Sequence, residues 1–312
     1  MTITLRWTVD ATEMQALFDN CPRPNLLQSP AWGRVKQSGE GWAPHWAVVE
    51  DDGRAVATVQ VLARRFGPFS LARLNRGPLW QDANPDPRQV AEVLSAIRRK
   101  WGWRRLGVVL AAPELTESPE HRAIMAQCGF HRRSVAAWST GWLDLACGAA
   151  MLRKRLNAKW RTALTNAERN GLATDVLIGA EGMEWLLPQY LEMQKTRGFS
   201  GIPAELLQHL AANEPDDIVT IRVRSGETPV SAVLMTRHGR SATYAIGWSN
   251  PEGRRLKGNF LALWVAAEYL RGRDCHWMDL GGIDAVNTPG IAEFKTKMNS
   301  EAYTLVGEYW AV

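Results

Sequence analysis

One short segment of the chain concentrates positive charge, which is the feature that binds phosphate groups. Residues 153–169 hold six cations and one acid, a net charge of +5, and the remaining residues sum to zero. The cations are Arg153, Lys154, Arg155, Lys159, Arg161 and Arg169, opposed by Glu168. The segment is a candidate phosphate-binding surface, and the alternative is the solvated face of an ordinary surface helix.

A second group with chemical potential lies near the C-terminus. Asp279-Leu280-Gly281-Gly282-Ile283 is followed by Gly290-Ile291-Ala292-Glu293-Phe294-Lys295. The two consecutive glycines allow other groups to approach the backbone closely. Lys295 is therefore interpreted as a candidate for a cation held in a fixed position near this backbone. The alternative is a solvated lysine beside Lys297.

Several familiar catalytic patterns are absent from the sequence. It has no Gly-x-Ser-x-Gly, His-Glu-x-x-His or Walker loop, and no Cys-x-x-Cys pair. The six histidines are isolated and are interpreted as structural. We therefore expect no metal site.

Length and composition indicate a globular protein of roughly two domains at about 150 residues each. The chain has 312 residues, of which 46% are hydrophobic and 22% charged. No run is apolar enough to span a membrane, and the N-terminus lacks a signal peptide. Four scattered cysteines fit a reducing compartment, so the predicted location is the cytoplasm.

The same arrangement of elements occurs twice along the chain. β-Branched runs flank a turn in residues 45–63 and again in residues 219–236, with Val56 and Val230 aligned at an offset of 174 (230 − 56). A helical pattern and a buried strand follow each hairpin; these are Arg88–Trp101 and Leu106–Ala111 in the first half, Phe260–Leu270 and Trp277–Leu280 in the second. Each half of the chain is therefore predicted to form a hairpin, a strand, a helix and a strand, in that order.

A basic helix is predicted between the two halves, over residues 151–170. Leu152, Leu156, Trp160, Ala163 and Ala167 share one helical face, and Asn170-Gly171 is a stop signal. The predicted fold class is α/β (α+β), with two tandem domains resembling the GNAT fold, each a mixed sheet flanked by helices. The expected boundaries are 1–146 and 147–299, with a last strand at about 300–312 packing back on the first domain.

An ordered set of motifs resembles the FemABX family of aminoacyl-tRNA-dependent peptidyltransferases. The set comprises Leu27–Lys36, Arg76-Gly77-Pro78, the basic segment, Met193–Phe199, Tyr244–Ser249, and the Asp279–Ile283 and Gly290–Lys295 pair. The resemblance covers roughly residues 26–310. No long uninterrupted helical arm is present, so the chain is similar to the shorter members of the family.

The resemblance implies transfer of an amino acid from aminoacyl-tRNA to an amine of a peptidoglycan precursor. The acceptor is a UDP-linked muropeptide or its lipid-linked form, so peripheral membrane contact stays open. We expect a monomer with no bound cofactor, aminoacyl-tRNA being the co-substrate. The basic segment is then the expected tRNA-binding surface, through Arg153, Lys154, Arg155, Lys159 and Arg161.

The resemblance also implies roles for individual residues. Lys295, with Phe294 beside it, would stabilise the oxyanion formed during amide synthesis. Lys36 and Arg197 would contact the diphosphate of the acceptor. The remaining expected substrate-binding residues are Tyr244, Trp248, Gly281 and Gly282.

Two positions depart from the family pattern. Trp248 stands where a small residue is usual. Ala112 stands before Pro113 where many members have an acid, and Glu114 follows.

Asp279 and Glu293 are weighed as general bases and interpreted as structural.

Acetyl-CoA is not expected as donor. The best match to the pyrophosphate loop of acetyl-CoA-dependent enzymes is residues 255–260, where Phe260 takes a position that is usually small.

Two other functions remain open on the sequence. One is a GNAT-type N-acyltransferase acting on a different amine in a natural-product or polysaccharide pathway. The other is a binding protein of the same fold that has lost catalysis.

Overall fold

The protein folds as two compact units, residues 1–139 with 303–312 and residues 140–302. The computed structural model describes residues 3–7, 9–82, 84–102, 106–198 and 201–312, except the side chain of Arg197. The division falls one residue into the first strand of the second unit, seven residues earlier (146 − 139) than the boundary expected from the sequence, because that strand pairs with the second unit's sheet.

The first unit is built on an eight-stranded sheet in the order β1-β2-β3-β4-β6-β15-β7, with β5 also on β3. Its elements, numbered along the whole chain, are β1 (Ile3–Arg6), α1 (Ala11–Asp19), α2 (Pro30–Glu40), β2 (Ala43–Asp51), β3 (Arg54–Phe66), β4 (Phe69–Asn75), β5 (Leu79–Trp80), α3 (Pro87–Trp101), β6 (Gly107–Ala112), α4 (Pro119–Gln127), β7 (His131–Arg132) and β15 (Tyr309–Ala311). The C-terminal strand β15 pairs with β6 and β7.

The second unit is built on a seven-stranded sheet in the order β14-β8-β13-β12-β11-β10-β9. Its elements are β8 (Ser139–Asp144), α5 (Ala149–Arg155), α6 (Ala158–Arg169), β9 (Ala173–Ile178), α7 (Ala180–Arg197), α8 (Ala204–Asn213), β10 (Ile218–Ser225), β11 (Thr228–His238), β12 (Ser241–Ser249), α9 (Pro251–Arg255), α10 (Gly258–Gly272), β13 (Trp277–Asp279), α11 (Pro289–Thr296) and β14 (Glu301–Thr304). Short 3₁₀ turns lie at Leu26–Gln28 and Pro215–Asp217.

The predicted duplication is confirmed at the level of elements. Hairpins β2–β3 and β10–β11 begin their second strands at Arg54 and Thr228, the same offset of 174. Each hairpin continues into an antiparallel third strand, a helix and a parallel strand, which gives the pairs β4–β6 and β12–β13. In each unit the parallel pair places two strand carboxyl ends side by side, an arrangement that favours ligand sites.

The single basic helix predicted over residues 151–170 is wrong, because the chain breaks it into α5 and α6. Leu156 leaves the helical conformation, and the Asn157 side chain accepts a hydrogen bond from the backbone N–H of Lys159 at 3.0 Å. Asparagine is a strong N-cap residue because its side-chain oxygen satisfies a free N–H in the first turn. The break places Arg153, Lys154 and Arg155 on α5 and Lys159, Arg161 and Arg169 on α6, and Arg153 pairs with Glu168 of α6.

An aromatic cluster ties α6 to the core of the second unit. Trp160 on α6 is buried, and its ring centroid lies 5.1 Å from that of Phe260 on α10 and 5.9 Å from that of Phe294 on α11. Phe260 and Phe294 meet edge to face at 4.9 Å, a geometry that aromatic pairs prefer. The cluster therefore fixes α11, the helix that carries Lys295, against α6 and α10.

Candidate active site

The candidate site lies at the carboxyl end of the parallel pair β12–β13. Thr243 and Asp279 are the last paired residues of the two strands. Beyond them β13 turns through Leu280 into Gly281-Gly282, while β12 continues through Tyr244. Gly281 approaches the Tyr244 backbone closely here, at the carboxyl ends of the strands, where α/β sheets commonly bind ligands.

Asp279 holds the glycine turn in place. Its buried carboxylate accepts a hydrogen bond from the backbone N–H of Gly281 at 2.8 Å and lies within hydrogen-bonding distance of the Thr140 hydroxyl. The Thr140 hydroxyl is also 3.0 Å from the Gly281 carbonyl oxygen. Asp279 is thus engaged in fixing the turn, which supports its interpretation as a structural residue.

Glycine is required at position 281 because of both the backbone conformation and the close neighbours there. Its φ angle is +68°, in the left-handed region that favours glycine. A Cβ added there would lie 2.8 Å from the Tyr244 carbonyl oxygen and 3.7 Å from Lys295 Nζ. The close approach that the sequence predicted at the glycine pair is therefore present in the structure.

Lys295 is a buried cation in the last turn of α11, with only 7% of its surface exposed. Nζ donates a hydrogen bond to the Gly282 carbonyl oxygen at 2.8 Å and lies 5.1 Å from the ring centroid of Tyr244. Burial lowers the pKa of Lys295 to about 8, and the Asp279 carboxylate opposes that shift. The sequence alternative of a solvated surface lysine does not hold.

The ammonium of Lys295 keeps hydrogen-bonding capacity for a ligand. A lysine ammonium has three N–H donors, and one is used by Gly282. Among the described residues no carboxylate lies within 4.0 Å of Nζ. An anionic oxygen bound beside Nζ would therefore find a cation with free donors in a poorly solvated place, where electrostatic stabilisation is strongest.

The Tyr244 ring lies against the Lys295 ammonium. Burial raises the pKa of its phenol, so the hydroxyl stays protonated at neutral pH. The hydroxyl lies over Gly247, where an added Cβ would be 1.8 Å from it. Within the described part of the chain this hydroxyl has no hydrogen-bond partner, so it is available to a bound substrate.

Trp248 is not brought to Tyr244 by the structure. Four residues of regular strand would put both side chains on one face, because side chains alternate. A bulge at Ala245 changes this parity, since Tyr244 pairs with Met235 but Trp248 pairs with Ala232. Tyr244 packs with the core shared by α6 and α10, whereas Trp248 meets Trp185 of α7 edge to face at 5.5 Å.

Phe294 packs in the aromatic cluster with Trp160 and Phe260 rather than beside the Lys295 ammonium. Its position in the structure is that of a residue that orients α11.

Lys36 lies on α2, the helix predicted from Ser29-Pro30, whose first turn is capped by the Ser29 hydroxyl at 3.1 Å from the Trp32 backbone nitrogen. Its ammonium forms an ion pair with Glu40 one turn later and lies 5.9 Å from the Trp32 ring centroid. The side chain of Arg197 lies outside the described residues, so the expected diphosphate pair stays a prediction.

The expected tRNA-binding cations differ in whether a neighbouring carboxylate neutralises their charge. Arg153 forms a bidentate pair with Glu168 at 2.7 and 2.6 Å, and Arg155 pairs with Asp144 at 3.0 Å. Arg161 donates to the backbone carbonyl oxygens at the end of α5. Lys154 and Lys159 are exposed and, over the described ranges, have no carboxylate within 4.0 Å.

Sequence reasoning missed a polar cluster at the equivalent end of the first unit's parallel pair. Buried Arg76 donates to Glu114 at 2.6 and 3.1 Å and to the Tyr303 hydroxyl at 2.7 Å. Glu114, two residues after Ala112, is thereby held by a cation. The Arg76-Gly77-Pro78 motif marks one side of this cluster, but no local signal points to Tyr303, which is 189 residues from Glu114.

Comparison with known proteins assigns the fold. A family model described as the acetyltransferase (GNAT) domain matches residues 151–296. The crystal structure of FemX superimposes with a TM-score of 0.79 at 15% identity, covering 100% of this chain and 97% of FemX. The chain has the FemX fold. The resemblance to the FemABX family indicated by the motifs is therefore confirmed at the level of the double GNAT-like fold.

Other solved structures share this fold more distantly. A tandem GNAT protein from the clavulanic acid biosynthesis pathway has a TM-score of 0.54 at 13% identity, with 99% of this chain and 98% of that chain covered. The C-terminal domain of a protein assigned as a lysylphosphatidylglycerol synthetase in Agrobacterium fabrum has a TM-score of 0.52 at 15% identity, with 96% and 91% covered. No curated protein sequence matches the chain.

Two sequence expectations can be compared with the described residues. None of the described helices is long and apolar enough to cross a membrane. The described His, Cys, Asp and Glu side chains form no group of three that could hold a metal ion.

We predict that Lys295→Met stabilises the fold at neutral pH. The unfolded lysine has a pKa near 10.5 and the folded one about 8, so the charged side chain disfavours folding at pH 7 by up to about 3 kcal/mol. Losing the hydrogen bond to Gly282 offsets about 1 kcal/mol of the gain. Urea unfolding should show a variant about 2 kcal/mol more stable at pH 7.

The pH dependence identifies the cause of that gain. Between pH 8 and 10.5 the unfolded wild type binds more protons than the folded protein, so its stability rises with pH relative to the variant and the difference shrinks. Lys297→Met is the matched control at the C-terminal end of α11, because Lys297 pairs with Glu293. A Lys295→Met variant that is less stable at pH 7, with a pH-independent difference, would contradict a desolvated cation.

Proposed function

We propose that this protein is an aminoacyltransferase that moves an amino acid from aminoacyl-tRNA to an amine of a peptidoglycan precursor stem peptide. The observation that carries the proposal is the buried Lys295 ammonium with free donors, beside the Gly281-Gly282 turn and the Tyr244 phenol. The fold shared with FemX supports the choice of aminoacyl chemistry. The motif set that resembles the FemABX family supports the choice of acceptor.

The arrangement suits attack of an amine on an ester. The nitrogen lone pair of the acceptor adds to the ester carbonyl carbon, and the carbonyl oxygen becomes an oxyanion. Lys295 Nζ donates to this oxyanion, a contribution of about 3–4 kcal/mol in comparable oxyanion sites. When the intermediate collapses, the C–O bond to the tRNA ribose breaks and the amide remains.

Proton transfer is assigned to the substrates and water. Asp279 already accepts the Gly281 N–H, and Glu293 is paired with Lys297, so neither is placed as a general base. The proton lost by the amine passes to the departing ribose oxygen, and the Tyr244 hydroxyl donates a hydrogen bond to the reacting groups. Among the protein groups placed at the site, Lys295 is then the one whose deprotonation lowers the rate above neutral pH. The acceptor amine must itself be neutral, so its own deprotonation raises the rate in the same direction in every variant.

A CoA-dependent N-acyltransferase is the second candidate, and it is favoured by the GNAT match over residues 151–296. The sequence argument against acetyl-CoA rests on the bulk of Phe260, whose ring packs on Trp160 and Phe294. Aminoacyl-tRNA without a bound cofactor stays our proposal for the donor, and the assay includes acetyl-CoA as the competing donor.

We predict labelled product when the protein is incubated with charged tRNA and UDP-linked muropeptide, with Lys295→Met about 100- to 1,000-fold lower in kcat. The wild-type kcat/KM should show an alkaline limb with a pKa of about 8, because Lys295 of the free enzyme loses its proton there. The variant should lack this limb, and dividing the wild-type profile by the variant profile removes the titration of the acceptor amine.

Lys297→Met serves as control and should keep both the activity and the limb. Product formation from acetyl-CoA alone would replace the proposal by the second candidate. Equal activity of Lys295→Met and wild type would remove Lys295 from the chemistry.

We predict that tRNA affinity depends on Lys154 and Lys159 more than on Arg155. The two lysines carry charge without a carboxylate partner in the described structure, whereas Arg155 is paired with Asp144. Lys154→Gln with Lys159→Gln should weaken binding and reduce the slope of log K against log salt by about 2, that is, about 1 per phosphate contact. Filter binding over a salt series measures both quantities. An unchanged slope, or a larger loss in Arg155→Gln, would contradict this surface.

A further inference from the structure

The tip of the β3–β4 hairpin, residues 64–69, exposes two phenylalanines on the first unit. Phe66 and Phe69 are 52% and 60% exposed, and all six residues of the tip are exposed. The two phenylalanines pair directly across the hairpin. Adjacent large aromatic side chains on a surface mark an interaction site more often than isolated ones do.

The tip extends past the rest of the sheet. The last residue of β3 that pairs with β2 is Ala63, and the first residue of β4 that pairs with β6 is Ser70. Beyond these positions β3 and β4 pair only with each other. Gly67, with φ of +60°, forms the turn, so the two rings are held at the end of a regular hairpin rather than on an irregular loop.

The charge of the tip itself is positive only. Residues 64–69 contain Arg64 and Arg65 and no Asp or Glu. Arg64 and Arg65 directly precede Phe66 on β3, and the Arg64 guanidinium lies 5.3 Å from the Phe66 ring centroid. In the described ranges of the chain neither arginine has a carboxylate within 4.0 Å. A partner that matches the tip therefore offers an apolar layer for the rings and negative charge for the arginines.

We propose that residues 64–69 form a docking tip for the surface of an anionic lipid bilayer. The phenylalanine rings would enter the boundary between headgroups and acyl chains, while Arg64 and Arg65 stay at the level of the lipid phosphates. A narrow projecting hairpin suits insertion into a deformable surface, whereas a protein partner would need a matching pocket. Two rings and two arginines give weak, reversible binding.

The inference is independent of the proposed aminoacyl transfer. It concerns residues of the first unit that belong to neither the Lys295 site nor the expected tRNA-binding cations. Vesicle binding is measured without any substrate, so a failed transfer assay and a failed vesicle assay are distinguishable. If both proposals hold, the bilayer contact favours the lipid-linked form of the acceptor.

The test is sedimentation of the full chain with vesicles of phosphatidylcholine, with and without phosphatidylglycerol. Binding should require the anionic lipid. Phe66→Ala with Phe69→Ala should lower the partition coefficient about tenfold or more, and Arg64→Gln or Arg65→Gln about fivefold each. Trp138→Ala is the matched control, because Trp138 is also 52% exposed on the first unit, and it should bind like wild type.

Unfolding midpoints that match the wild type show that the variants are folded. The double phenylalanine variant should also retain wild-type turnover of a soluble acceptor. Equal vesicle binding by wild type and the double variant would overturn the proposal. A second result would also overturn it. If the protein does not bind vesicles but self-associates in sedimentation velocity, and Phe66→Ala with Phe69→Ala abolishes that self-association, the occupant of the tip is a second copy of the chain.

Discussion

Burying the Lys295 ammonium against one backbone carbonyl is the constraint on which the second unit's site depends. A charged group removed from water is unfavourable unless it is paired, and here one carbonyl oxygen and the face of the Tyr244 ring are its described neighbours. The result is a lysine whose pKa falls to about 8 and whose remaining donors can meet an anionic oxygen. A bound oxyanion would supply the missing counter-charge, so the same feature that disfavours folding favours the transition state.

The surrounding structure holds this cation in place from three directions. The Asp279 and Thr140 hydrogen bonds fix the turn whose Gly282 carbonyl receives Nζ. The Tyr244 ring centroid lies 5.1 Å from Nζ. The aromatic cluster of Trp160, Phe260 and Phe294 fixes α11, so Lys295 is positioned by its helix and not by a loop.

The fold could be predicted from the sequence because its signals are local. Alternating β-branched runs around a Gly turn identified both hairpins. The helical pattern over Arg88–Trp101 identified α3, and its apolar residues Val90, Val93, Leu94 and Ile97 are all buried. The Asp279–Ile283 and Phe294–Lys295 pair pointed to the candidate site, whose role stays a prediction, since a glycine turn and a nearby lysine carry chemical information by residue type alone.

Other features depend on contacts that spacing does not reveal. The extra residue at Ala245 reverses the side of the sheet on which Trp248 lies, and no residue type announces that bulge. The Arg153–Glu168 pair joins two helices across the break at Asn157, so a count of charges overstated the free positive charge of the segment. The Arg76–Glu114–Tyr303 cluster joins residues that are far apart in the chain.

The most direct test of the account is an NMR titration of the Lys295 side-chain nitrogen, assigned by its loss in Lys295→Met. The account predicts a pKa near 8 in the free protein and a higher pKa when a phosphonate analogue of the tetrahedral intermediate binds, because the anion stabilises the protonated form. A pKa near the ordinary 10.5 that does not move with the analogue would contradict the central role given to this buried cation.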